Sequence, residues 1–191
     1  MMLGYANLPV GRLWLLGDAE LQGNFQRAFQ KYREAIDFEP TWAMAYYNAG
    51  TMLLQKFDMY EEAAPFFEKA ISLQPEFPAP WFNIAVCLRR SGEPHAALKS
   101  IWEFFELDPK DPQGHYEMGL VYMELGSTDL EMACYKRALA CDASYLQAHL
   151  ALGLTYIDLN RYDEARLHLE YILRHGNNEF SEMASDALRR F

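Results

Sequence analysis

Basic side chains are scarce in this chain, with 17 Lys and Arg against 27 Asp and Glu over 191 residues, for a formal charge of −10 at neutral pH. That balance argues against a nucleic-acid or anionic-membrane partner, because both draw affinity from clustered Lys and Arg. Cysteine is also rare. Cys87, Cys134 and Cys141 are the three present, too few and too scattered for a disulfide framework. Cys134 and Cys141 fall on one predicted helix, about 10 Å apart at 1.5 Å rise per residue, beyond the reach of a bond. A reducing, cytoplasmic setting is expected.

Long apolar runs are missing too. A membrane-spanning helix needs ~20 apolar residues, and Met1 to Gln22 holds only Leu13-Trp14-Leu15-Leu16, without the flanks of a signal peptide. No membrane insertion is expected. Neither a Gly-rich phosphate loop after a strand nor a nucleophile motif with a supporting base is present. The five histidines, His95, His115, His149, His168 and His175, form no group at metal-ligand spacing. His168 and His175 share a helix face two turns apart and are expected at the surface. The acidic pairs Glu61-Glu62 and Asp163-Glu164 open helices, where they complement the helix dipole. Catalysis, cofactor and metal are therefore not expected.

What the chain does have is a period. Pro40, Pro75 and Pro109 close successive segments 35 and 34 residues long, and a further segment ends 34 residues later at Ala143. Such a period means stacked repeats that share their core between neighbours. Within each segment apolar residues recur at three- and four-residue spacing, break at a turn, and resume, which reads as two antiparallel helices. The turns are Gly23, Gly92, Gly126 and Asn160, residue types that tolerate the left-handed backbone of a helix C-terminus. The predicted repeats span about 9–42, 43–77, 78–111, 112–145 and 146–177, with 178–191 as a capping helix whose Met183, Ala184, Ala187, Leu188 and Phe191 share a face.

Local departures carry expectations of their own. One extra residue near Phe57-Asp58 accounts for the 35-residue segment. Pro78 and Asp111-Pro112 suit helix starts. Pro65 lies beyond a first turn, where the lost N–H and a clash with the Glu61 carbonyl cost about 3 kcal/mol, so a kink or late helix start is expected. Glu131 stands where a small residue would let paired helices approach, so looser packing is expected there.

Trp81, Ile84, Ala85, Gly92, Ala97 and Pro109, and then Gly119, Tyr122, Gly126, Tyr135 and Ala138, resemble the signature of the tetratricopeptide repeat. The resemblance covers nearly the whole chain. It implies an all-α, right-handed superhelical solenoid of antiparallel helix pairs that holds other proteins and carries out no chemistry. It also implies that the first helix of each repeat lines a concave groove. Laid on this chain, that assignment selects Tyr47, Asn48 and Thr51 from the second repeat and Phe82, Asn83, Val86, Arg89 and Arg90 from the third. Tyr116 and Leu120 come from the fourth, and Leu150 and Leu154 from the fifth.

Tyr47, Phe82 and Tyr116 share a phase and suit an apolar ligand. Asn48 and Asn83 share another, and their carboxamides suit an extended peptide backbone. The same residues also suit filling between neighbouring helices. Arg89-Arg90 point to an acidic group on the ligand, or to a solvated helix end. Some proteins of this family hold a C-terminal carboxylate with Lys, Asn and Arg spread over three repeats; here only Asn48 matches in the first three repeats, and that mode is not expected. The expected role is a scaffold or adaptor that binds a peptide or helical segment of another protein. A self-assembling homo-oligomer and a docking module of a larger enzyme or complex stand as alternatives.

Overall fold

The computed structural model of the chain describes residues 25–191. Gly23 and the first helix of the first repeat, with Leu13 to Leu16, lie outside the described residues. The described residues form helices and their connections, with no strand among them. In chain order the helices are α1 (Phe25–Phe38), α2 (Ala43–Phe57), α3 (Tyr60–Leu73), α4 (Pro78–Arg90), α5 (Pro94–Leu107), α6 (Pro112–Glu124), α7 (Thr128–Cys141), α8 (Leu146–Asp158), α9 (Tyr162–His175) and α10 (Asn178–Leu188). They fall into two compact units, one ending at Glu93 and the other spanning Pro94–Phe191. In the first unit α1 to α4 pack each on the next, and in the second α5 to α10 do the same.

The turns show why the chain folds back on itself. Gly92, Gly126 and Asn160 have φ of 78°, 68° and 57°. The amide after each donates to a carbonyl five residues earlier: Glu93 to Leu88, Ser127 to Tyr122 and Arg161 to Tyr156, at 2.8–2.9 Å. This left-handed closure satisfies carbonyls that the helix end leaves open. After α2 the left-handed residue is Asp58, at φ 52°, and the amide of Met59 reaches back six residues, to Leu53, at 3.0 Å. The extra residue of that segment is therefore absorbed in a wider turn.

Each carbonyl that ends a segment is also held by an aromatic side chain six residues on. Tyr46 Oη donates to Pro40 O at 3.2 Å and Trp81 Nε1 to Pro75 O at 2.9 Å. His149 Nε2 lies 3.1 Å from Ala143 O, and His115 is hydrogen-bonded to the backbone of Pro109. Four different residue combinations thus secure the same join between repeats.

Close approach within a pair depends on glycine. A Cβ at Gly50 would lie 2.8 Å from the Phe67 ring, and one at Gly119 would collide with the Tyr135 ring. Phe67 and Tyr135 are fully buried by that contact. The looser packing expected from Glu131 is not what the fold shows, since α6 and α7 meet at Gly119 and Glu131 is itself buried. Nor does Pro65 delay its helix: α3 begins at Tyr60 and runs through Pro65 to Leu73, its buried Ala63, Phe67 and Ala70 offsetting the missing hydrogen bond. In the second unit α10 is capped by Asn177, whose side chain accepts from Phe180 N at 3.0 Å, and buries Ala184 and Ala187 beside Leu169 and Ile172 of α9.

Candidate functional site

The first helices of two successive pairs, α6 and α8, frame a groove of about 720 Å³ in the second unit. Tyr116, Leu120, Leu150 and Leu154, all expected there from the sequence, line it. Leucines at 150 and 154 follow one helix face at four-residue spacing, and Tyr116 and Leu120 do the same on the neighbouring helix. Tyr116 is fixed by ring contacts with Tyr135 and Tyr145, at centroid distances of 5.6 and 5.7 Å.

The groove has contributors that the repeat phase did not single out. Thr128, Glu131 and Tyr135 reach it from α7, the second helix of its pair, and Met183 from α10. Met183 accordingly leaves the buried face of the cap and is exposed. Glu131 is 6% exposed and its Oε1 accepts from Thr155 Oγ1 at 2.8 Å, joining α7 to α8. Burial pushes its carboxyl pKa up; the Thr155 hydrogen bond opposes this and the Asp158 charge adds to it. The one sequence sign of this feature was the presence of a carboxylate where a small residue belongs. Its partner Thr155 gave no sign, because the pairing crosses 24 residues of chain.

In the first unit a smaller cleft of about 410 Å³ is lined by Asn48 and Thr51 with Phe25, Tyr32, Gln55 and Lys56. Asn83 is 6% exposed, and its Nδ2 donates to Thr51 Oγ1 at 3.3 Å, so this carboxamide ties α4 to α2. Tyr47 packs against Phe77 and Phe67, at 5.0 and 6.2 Å between centroids, and Val86 against the buried core of the unit. These are the helix-filling roles open to both residue types. Phe82 and Arg89 are partly buried on α4, and Arg90 sits 3.7 Å from Asp58 in an exposed ion pair.

Of the two histidines expected at the surface, His175 is exposed, whereas His168 is half-buried against another histidine. His149 is buried and its Nδ1 lies 3.0 Å from Nδ1 of half-buried His168. Because the Ala143 carbonyl only accepts, His149 carries its proton on Nε2, and His168 Nδ1–H donates to the bare Nδ1 of His149. His149 stacks on Tyr171 at 4.0 Å, and His168 on Tyr156 at 5.8 Å. Burial lowers both pKa values, that of His168 to about 4, with the neighbouring His149 and Lys136 charges adding to the effect. The two rings are a packed, neutral pair and offer no vacant nitrogen pair for a metal. Among the described residues no group of three His, Cys, Asp or Glu is placed to hold a metal ion, and no helix is long and apolar enough to cross a membrane.

Comparison with known proteins agrees with the geometry. Human protein O-mannosyl-transferase TMTC3 is 27% identical over 157 residues, which is 80% of this chain and 17% of that protein. The TPR repeat-containing thioredoxin TTL4 of Arabidopsis thaliana is 35% identical over 82 residues, 43% of this chain and 12% of that one. The chain therefore spans less than a fifth of the length of these relatives. Among solved structures, TTC0263, a thermophilic TPR protein of Thermus thermophilus, superposes with a TM-score of 0.76 at 22% identity, covering 94% of this chain and 98% of that one. YrrB, a TPR protein with an unusual peptide-binding site, superposes at 0.68 and 22% identity, covering 94% and 91%. Tetratricopeptide-repeat profiles match residues 43–77 and 146–170, 66–99 and 88–145. With helix pairs, turns and packing glycines all in register with that repeat, the chain is a member of the tetratricopeptide repeat family.

Proposed function

We propose that this protein is a non-catalytic binding scaffold that holds a peptide or helical segment of another protein in the groove framed by α6 and α8. The observation that carries the reading is the groove itself: Leu120, Leu150 and Leu154 form apolar walls beside the ring of Tyr116, a combination that gives contact area at small entropic cost. The cleft at Asn48 and Thr51 serves as a second, more polar contact. Free Cys87, Cys134 and Cys141 fit a reducing compartment such as the cytoplasm. The repeat boundaries that fit this reading are about 43–77, 78–111, 112–145 and 146–177, with 178–191 as the cap.

The test is a pull-down from source-cell lysate with the natural chain and a Leu120→Arg, Leu154→Arg variant of unchanged circular dichroism, retained proteins being identified by mass spectrometry. A protein lost only from the variant supports the groove; identical lists move the interaction elsewhere.

A second reading is that the array acts as the docking part of a larger protein. It is favoured by the relatives, in which the matching region is 17% of an O-mannosyl-transferase and 12% of a thioredoxin. A longer reading frame around these residues would support it.

A further inference from the structure

The groove between α6 and α8 has an uneven charge. Glu131 and Asp158 are its charged lining residues, and no Lys, Arg or His of the second unit lines it. Glu131 lines it while itself buried, its Oε1 held by Thr155 at 2.8 Å. A carboxylate has about four acceptor positions on two oxygens, so one hydroxyl donor leaves most of its capacity unused. Burying such a group without a cation is costly, and Asp158 adds like charge nearby. Leu120, Leu150 and Leu154 line the same groove, and apolar neighbours that keep water from a bound ligand strengthen a charge-assisted bond made beside them.

We infer that the segment held in this groove carries one cationic side chain, Arg or Lys, which enters between apolar contacts and pairs with Glu131. The inference rests on the groove reading above and deepens it by naming the partner's chemistry. Arg fits best: its planar fork donates to the remaining oxygen while its stem packs along the leucines. Asp158, exposed at the end of α8, attracts the same cation during approach and contributes less once the ligand is seated.

The experiment selects a random 16-residue phage-displayed peptide library on the full chain, then measures the binders by fluorescence anisotropy as synthetic peptides. Binders are expected to share one Arg or Lys flanked by apolar residues. Replacing that residue by Gln should weaken binding to the natural protein at least tenfold, and binding to Glu131→Gln less than twofold, the coupling expected of two groups in contact. Asp158→Asn should weaken binding only two- to threefold. Binders that lack a cation, or that lose equal affinity on both proteins, overturn the inference; the peptide substitution does so without touching the fold. The groove reading is checked separately with Leu154→Arg. If binders vanish on that variant yet show no coupling to Glu131, the groove stands and the cation falls, whereas binders indifferent to Leu154→Arg sink both. A concentration-dependent dimer abolished by Leu154→Arg would make a second copy the occupant, and would also overturn it.

Discussion

His149 and His168, on successive helices of the second unit, share a proton between Nδ1 atoms 3.0 Å apart while Ala143 O holds the outer nitrogen of His149. The bare Nδ1 of His149 can accept this bond only while that ring is neutral. Lys136 and His175 face the pair, and a second positive charge there would be repelled. The folded pKa values are depressed, whereas the unfolded rings titrate near 6.5. Stability from the pair is therefore full above that value and lost as pH falls towards about 4.

With His168 half-buried and partly screened, the loss should be about 1 kcal/mol, or roughly 2–4 °C in melting temperature. Melting curves between pH 7 and pH 4.5 for the natural chain and His168→Phe test this: the natural chain should lose more. Parallel profiles would remove the pair from the acid response.

Glu131 has the opposite sign. Its pKa is raised, so stability is lost as pH climbs from the ordinary carboxylate value through the folded one, and protonation restores it. Glu131→Gln, which keeps a side-chain oxygen for Thr155, should be as stable as the natural chain or more so at pH 8. The difference should shrink towards pH 4.5. Urea denaturation at both pH values reads it, and a variant less stable at pH 8 than at pH 4.5, relative to the natural chain, would refute it.

Gly119→Ala places a methyl group against the Tyr135 ring, and Tyr135 is too enclosed to move away. A loss of about 1–3 kcal/mol is expected, as for other overpacked cores. Gly92→Ala meets no neighbour but requires φ of 78°, so it should cost only about 1 kcal/mol, from backbone strain. Equal losses in denaturant titrations would show that the steric reading of Gly119 is wrong.

Cysteine chemistry should divide by burial. Cys87 and Cys134 are buried, which pushes their thiols up to about 12 and about 11, while Cys141 is exposed. Brief iodoacetamide treatment of the native chain at pH 8 should alkylate Cys141 and spare the other two, with all three reacting in urea. Peptide mass mapping distinguishes them, and fast native labelling of Cys134 would contradict the packing of α7.

The helix pairs are legible in the residues alone, because a period of 34–35 residues and Gly or Asn at fixed offsets constrain the backbone locally. Left-handed Gly92, Gly126 and Asn160 are consequences of residue type, as is the start of α6 at Asp111, whose side chain accepts from Gly114 N at 2.8 Å. Tyr116, Leu120, Leu150 and Leu154 were legible for the same reason, since helical phase fixes which side chains share a face. What those faces meet follows from packing between helices far apart in the chain. Asn83 shares its phase with Asn48, yet it spends its amide on Thr51 of another helix, while Asn48 faces a cleft. Glu131 looked like a packing defect, yet it is buried and lines the groove, with a hydrogen bond from Thr155 on the following pair. His168 reads as a surface residue until α8 and α9 bring its ring onto that of His149. Backbone conformation depends on near neighbours in sequence, whereas burial and pairing depend on side chains many residues away, which no local pattern encodes.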